Sequence, residues 1–155
     1  MSELKARLRS DLTAAMKARD ALTLGTLRMA LAAITNEEVA GSTAKELTDA
    51  DVSTVLAREV KKRKESADVF EAAGRGELAE KERAESAVIS TYLPAQLSDA
   101  EVTSLVAEAV EEVAASTGAT PTIRQMGLVI KAAQARAAGR ADGAKIAAVV
   151  KSALA

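Results

Sequence analysis

The chain has 155 residues, with 21 Lys and Arg against 22 Asp and Glu, and neither Cys nor His. Those two absences exclude disulfides, thiolate nucleophiles and imidazole bases or metal ligands, so no metal site and no cofactor are expected. No apolar run approaches the roughly 20 residues of a membrane span, and Met1-Ser2-Glu3-Leu4-Lys5 lacks the apolar core of a signal peptide, so a soluble, cytoplasmic chain with no membrane partner is expected.

Ala supplies 36 residues, against one Phe, one Tyr, no Trp and two Pro. Ala is the best helix former, and the composition predicts an all-α chain whose helices pack by close approach. Leu4, Leu8, Leu12, Ala15 and Met16 recur at helical spacing behind Ser2 as N-cap. Asp20 caps a second helix carrying Leu24, Leu27, Leu31 and Ile34, which fades into a loop near Val39-Ala40-Gly41-Ser42. Thr48 and Asp51 form a capping box of the weaker Asp type before a long third helix with the stripe Val52, Val55, Leu56, Val60, Ala67, Phe70. Gly74 stands at its C′ position, and a fourth helix runs from about Glu77 to Tyr92.

Leu93-Pro94 ends that helix, because the residue before Pro is pushed out of the α region. The boundary falls here, giving an N-terminal domain 1–93, a linker 94–97 and a C-terminal domain 98–155. Ser98 and Glu101 box the fifth helix, with Val102, Leu105, Val106, Ala109 and Val113 on its apolar face. Thr122 and Gln125 are spaced for another box before a sixth helix that buries Met126, Val129, Ile130 and Ala133 and closes at Gly139. Asp142 caps a seventh, with Ile146, Val149, Val150 and Leu154 inside. The predicted architecture is a four-helix N-terminal part followed by a small three-helix C-terminal bundle.

Helices three and four share a short turn near Gly74-Arg75, so they are expected to lie antiparallel. Residue numbers summing to about 149 then sit level. Arg63 is on the apolar stripe of helix three, and is expected to pair with Glu85 or Glu82, with Arg28 placed to join from helix two. A register-fixing ion network is the main reading; a polar pocket with Glu82 and Glu85 as acid and base is the functional alternative. The run Lys61-Lys62-Arg63-Lys64 points most of the way around its helix and has i,i+4 acids at Glu59, Glu65 and Asp68, so it reads as a solvated, internally neutralised face.

The C-terminal end sorts its charge. From Pro121 onward Arg124, Lys131, Arg136, Arg140, Lys145 and Lys151 face one acid, Asp142, whereas Ser98 to Gly118 carries five acids and no base. That clustering suits a phosphate backbone. Arg124 and Lys131 are seven apart, so they are expected to share a helix face, with Gly127 between them on the same side. A glycine there is explained either by another helix of the same domain or by a nucleic-acid backbone or partner protein coming close. Arg140 and Lys145 flank a helix N-terminus, a suitable place for phosphate. With no aromatic platforms, contact would be to the backbone and shape of a folded RNA or duplex.

The chain resembles the YqeY-like proteins, whose domain is shared with the tail of the B subunit of the tRNA-dependent amidotransferase (the GatB/YqeY domain). The resemblance rests on Leu27-Arg28, Lys62-Arg63-Lys64-Glu65-Ser66, Glu82 and Glu85, Tyr92-Leu93-Pro94 with Gln96-Leu97, Met126-Gly127 with Lys131, and Gly139 with Asp142-Gly143. Leu128 and Gln125 depart from it, standing where the family often carries a basic residue and Asp. The resemblance implies the four-plus-three helical organisation, a link to tRNA, and association with glutamine-dependent carbon–nitrogen ligase activity and its subunits. The amidase signature and the kinase-like core of that enzyme have no counterpart here. The expected function is a non-catalytic tRNA- or structured-RNA-binding accessory module using Arg124, Lys131, Arg140 and Lys145; the alternative is a helical protein–protein adaptor working through Leu128.

Overall fold

The computed structural model describes residues 2–155. Seven α-helices and no strand occur among them: α1 (Glu3–Ala18), α2 (Ala21–Glu38), α3 (Asp49–Ala72), α4 (Gly76–Ser90), α5 (Asp99–Thr117), α6 (Met126–Ala137) and α7 (Gly143–Leu154). None of these helices is long and apolar enough to cross a membrane.

Helix starts are set by local side chains. Ser2, Asp20, Thr48, Ser98 and Asp142 each accept a backbone N–H of the helix that follows, satisfying donors that have no intrahelical partner. Thr48 with Asp51, and Ser98 with Glu101, form reciprocal boxes. Helix ends show two departures from expectation. α4 leaves α geometry after Ser90, and Thr91, Tyr92 and Leu93 donate to Val88, Ile89 and Ser90 instead, a tightened last turn before Pro94. α6 turns out at Ala138, already left-handed at φ 48°, before Gly139 at φ 78°. The cap is thus shared between an alanine that pays a steric cost and a glycine that does not.

The chain forms two compact units, Met1–Pro94 and Ala95–Ala155. In the first, α1 to α4 enclose Leu8, Leu27, Ala30, Ile34, Val52, Val55, Leu56, Val60 and Ile89. Leu47, in the connection before α3, joins this core at 3% exposure, although the sequence pattern gives it no helix to belong to. Asp49 ties two helix starts together, accepting Ser2 Oγ–H and, at 3.1 Å, the Leu4 N–H. In the second unit, α5, α6 and α7 enclose Val102, Val106, Ala109, Val113, Val129, Ala133, Ala137, Ile146 and Val150. Fully burying a Val or Leu contributes about 1.5–3 kcal/mol, so each unit has its own source of stability.

Candidate functional site

α6 begins through a 3-10 turn, Ile123–Gln125, where the Gln125 carboxamide oxygen accepts the Thr122 N–H and O–H, both at 2.8 Å. Arg124 lies in that turn and not in α6. The 3-10 turn advances by about 120° per residue against about 100° in the α-helix, so two such steps leave Arg124 within roughly 20° of Lys131 around the axis. Both side chains are exposed and make no hydrogen bond or ion pair among the described residues. Gly127 lies between them, and a Cβ built there would meet nothing within 4 Å. Close approach by another helix of this chain is thereby removed as the reason for that glycine. Ile123 and Leu128, beside it in sequence, are 50% and 52% exposed.

Arg140 and Lys145 stand differently from the expectation that they wait for phosphate. Arg140 Nε donates to the Ala95 carbonyl at 3.0 Å, and the Arg140 carbonyl accepts the Leu97 N–H at 2.8 Å. Its guanidinium thus holds the start of the second unit against the loop before α7. Lys145 pairs with Asp99 at the start of α5. Arg136 reaches Glu108 at 3.0 Å and Glu112 at 3.1 Å. The charge that the sequence separates into an acidic and a basic segment is partly recombined by packing: α5 supplies acids to Arg136 of α6 and Lys145 of α7. Across residues 95–155 six bases stand against six acids; Arg124 and Lys131 at the start of α6, and Lys151 near the end of α7, are exposed and make no hydrogen bond or ion pair among the described residues. The loop glycines have separate tasks. Gly139 takes positive φ, whereas Gly143 opens α7 with Gln134 Nε2 3.6 Å from where a Cβ would stand.

In the first unit Arg63 is 3% exposed. Its Nη1 donates to Glu59 Oε2 at 2.6 Å and to the Glu59 carbonyl at 3.2 Å, its Nε to Glu85 Oε2 at 3.3 Å, and its Nη2 lies 3.8 Å from Met29 Sδ. The sequence did not single out Met29 as a neighbour; the other acid that closes the network is Glu59, one turn back on the same helix. Glu82 is half-buried and makes no hydrogen bond or ion pair among the described residues. Arg28 is exposed and likewise unpartnered, so it does not join. A buried guanidinium held by Glu59 and Glu85 joins α3 to α4, an arrangement suited to fixing their register. Lys61, Lys62 and Lys64 are exposed while Arg63 is buried, as four successive residues of one helix require.

Tyr92 OH donates to Asp11 Oδ2 at 2.6 Å, and Arg7 lies 4.8 Å from the ring centroid. Burial, and then the Asp11 hydrogen bond, push the phenol well above its usual range. Leu93 packs on the core while Pro94 is exposed. The Tyr-Leu-Pro motif thus fastens the end of α4 to α1. No cluster of three or more Asp or Glu side chains suited to a metal ion occurs among the described residues.

A family model described as Yqey-like protein matches residues 5–154. An uncharacterized protein of Schizosaccharomyces pombe is 36% identical over 97 residues, which cover 62% of this chain and 76% of the yeast protein.

Proposed function

The chain belongs to the YqeY-like family, and from that premise we propose that it is a non-catalytic, cytoplasmic accessory module that binds tRNA or another structured RNA through the start of α6. The observation that carries this reading is the pair Arg124 and Lys131, exposed and unpartnered among the described residues on either side of an open Gly127. Of the neighbouring cations of the same segment, Arg136 and Lys145 are paired with acids of α5 and Arg140 is bonded to the backbone. A bare glycine beside two available cations suits a sugar–phosphate backbone, which needs both charge and room. The link to glutamine-dependent amidation, with amidotransferase subunits as partners, rests on family association alone. Domains 1–93 and 98–155 are part of the same proposal, supported by a separate core in each.

The test is binding of bulk tRNA across a salt series by the full chain and by the variants Arg124→Glu, Lys131→Glu, Arg140→Glu and Lys62→Glu. The first two are expected to weaken binding and to lower the salt slope by about one each. Lys62→Glu is expected to do little, and Arg140→Glu to act mainly on the fold of its loop. Absence of binding at low salt rejects the RNA reading. One observation favours a second reading, a protein adaptor: Ile123 and Leu128 are half exposed in the same stretch. That reading predicts a salt-insensitive complex abolished by Leu128→Asp.

A further inference from the structure

The segment that leads from α4 to α5 is held at both ends. At its start Tyr92 OH donates to Asp11 Oδ2 at 2.6 Å, Leu93 packs on the core of the first unit, and the Leu93 N–H donates to the Ser90 carbonyl at 3.1 Å. At its end Leu97 packs on the core of the second unit and its N–H donates to the Arg140 carbonyl at 2.8 Å. Arg140 Nε donates to the Ala95 carbonyl at 3.0 Å. Between the last residue packed on the first core and the first residue held by the second unit, only Pro94 remains, and it is exposed.

We propose that Arg140 is a hinge lock: by holding Ala95 it confines the pivot between the two units to Pro94 and withholds Ala95 and Gln96 from it. Pro94 is itself a stiff pivot. Its ring fixes φ at about −65°, and the residue before a proline is kept to extended backbone. With peptide bonds planar, ψ of Pro94 and φ of Ala95 are the soft dihedrals left. The loop that carries Arg140 is a firm anchor. Ala138 and Gly139 are both left-handed, and the Arg140 N–H returns to the Ala137 carbonyl at 2.9 Å. One residue therefore grips the segment twice, and the two grips differ in kind. Leu97 is held by a backbone–backbone bond and by packing, so it does not depend on which side chain stands at 140. Ala95 is held by the guanidinium. Ala95 and Gln96 are exposed and belong to neither core, so no packing replaces that bond when it opens. Opening it adds ψ of Ala95 and both dihedrals of Gln96 to the pivot, and a stiff joint becomes a short flexible linker.

Backbone amide relaxation by NMR, on the full chain and on its Arg140→Met variant, tests the lock. Met keeps an aliphatic stem and removes the donors. In the unmodified chain Ala95, Gln96 and Leu97 are expected at order parameters of about 0.85, the value of rigid backbone. In Arg140→Met, Ala95 and Gln96 are expected to fall below about 0.6 while Leu97 stays at about 0.85. The tumbling time of each unit is expected to shorten in the variant, because a longer linker lets each move more independently of the other. A merely structural role for Arg140 gives a different pattern, with Leu97 and residues 138–142 loosening together with Ala95 and Gln96. That pattern, or loss of the folded α5–α7 amide spectrum in the variant, overturns the proposal. Ala95 and Gln96 already below about 0.6 in the unmodified chain overturn it, as do order parameters that Arg140→Met leaves unchanged. Unchanged tumbling of both units overturns the hinge role even if Ala95 and Gln96 loosen.

Discussion

Arg63 of α3 donates to Glu85 of α4 across 3.3 Å, at a depth where Arg63 is 3% exposed. Removing one member of a buried pair leaves the other charge uncompensated. Arg63→Ala is expected to cost about 3–5 kcal/mol, since both Glu85 and Glu59 lose their partner. Arg63→Met combined with Glu85→Leu is expected to cost less than Arg63→Ala alone. Glu82→Gln is expected to stay within about 0.5 kcal/mol. Urea denaturation of the three variants checks the order; a Glu82 effect as large as that of Arg63 would mean that the network is drawn wrongly.

Gly127 separates stability from binding. Its backbone is helical and its surroundings are open, so Gly127→Ala is expected to stabilise the C-terminal unit by about 0.5–1 kcal/mol. If RNA approaches that backbone, the same variant binds tRNA less tightly while folding better. Equal tRNA affinity in wild type and variant would show that contact lies elsewhere.

Ala138 holds a left-handed conformation at φ 48°, which an L residue reaches at a cost of roughly 1–2 kcal/mol. Ala138→Gly is expected to recover about 0.5–1 kcal/mol of that by relieving the strain, less the extra freedom gained by the unfolded chain. Gly139→Ala, at φ 78°, is expected to lose stability. Calorimetry of the pair measures the two shifts, which must have opposite sign.

Acid should loosen helix starts first. Hydrogen bonds lower the carboxyl pKa of Asp20 (chiefly from the Thr23 hydroxyl), Asp49 (the Ser2 hydroxyl), Asp51 (the Thr48 N–H) and Glu101 (the Ser98 N–H). A folded pKa below the unfolded one means that the native state binds fewer protons, so this support is complete above the unfolded value near pH 4 and is lost as pH falls through the folded value. Tyr92 shifts the other way: its support is complete below about pH 10 and is lost as pH rises past it. Circular dichroism against pH should show Glu101→Gln softening the acid limb and Tyr92→Phe the alkaline one. An alkaline limb unchanged by Tyr92→Phe would remove Tyr92 as its cause.

Local grammar carried most of what could be read from the chain. A cap needs only residues three apart, so Ser2, Asp20, Thr48 and Ser98 announce their helices without any tertiary information. A short turn fixes the level of two antiparallel helices, which brings Arg63 and Glu85 within reach of simple counting. Three features lay beyond such reasoning. The burial of Leu47 and of Lys5, which pairs with Glu38, depends on where a connection settles. The 3-10 entry to α6 depends on a choice between two nearly equal turn geometries. The neutralisation of Arg136 and Lys145 by α5 depends on which face α5 presents, and charge counting along a sequence is blind to it.

That neutralisation makes α5 a built-in counterion for the two helices after it. Free α6 and α7 would carry their cations bare, and any polyanion in a purification, nucleic acid included, would compete for the places that Glu108, Glu112 and Asp99 fill in the intact unit. A fragment cut after α5 would therefore behave as an indiscriminate nucleic-acid binder whatever the parent does. The acidic helix sets the baseline from which any selective contact by this protein has to be judged.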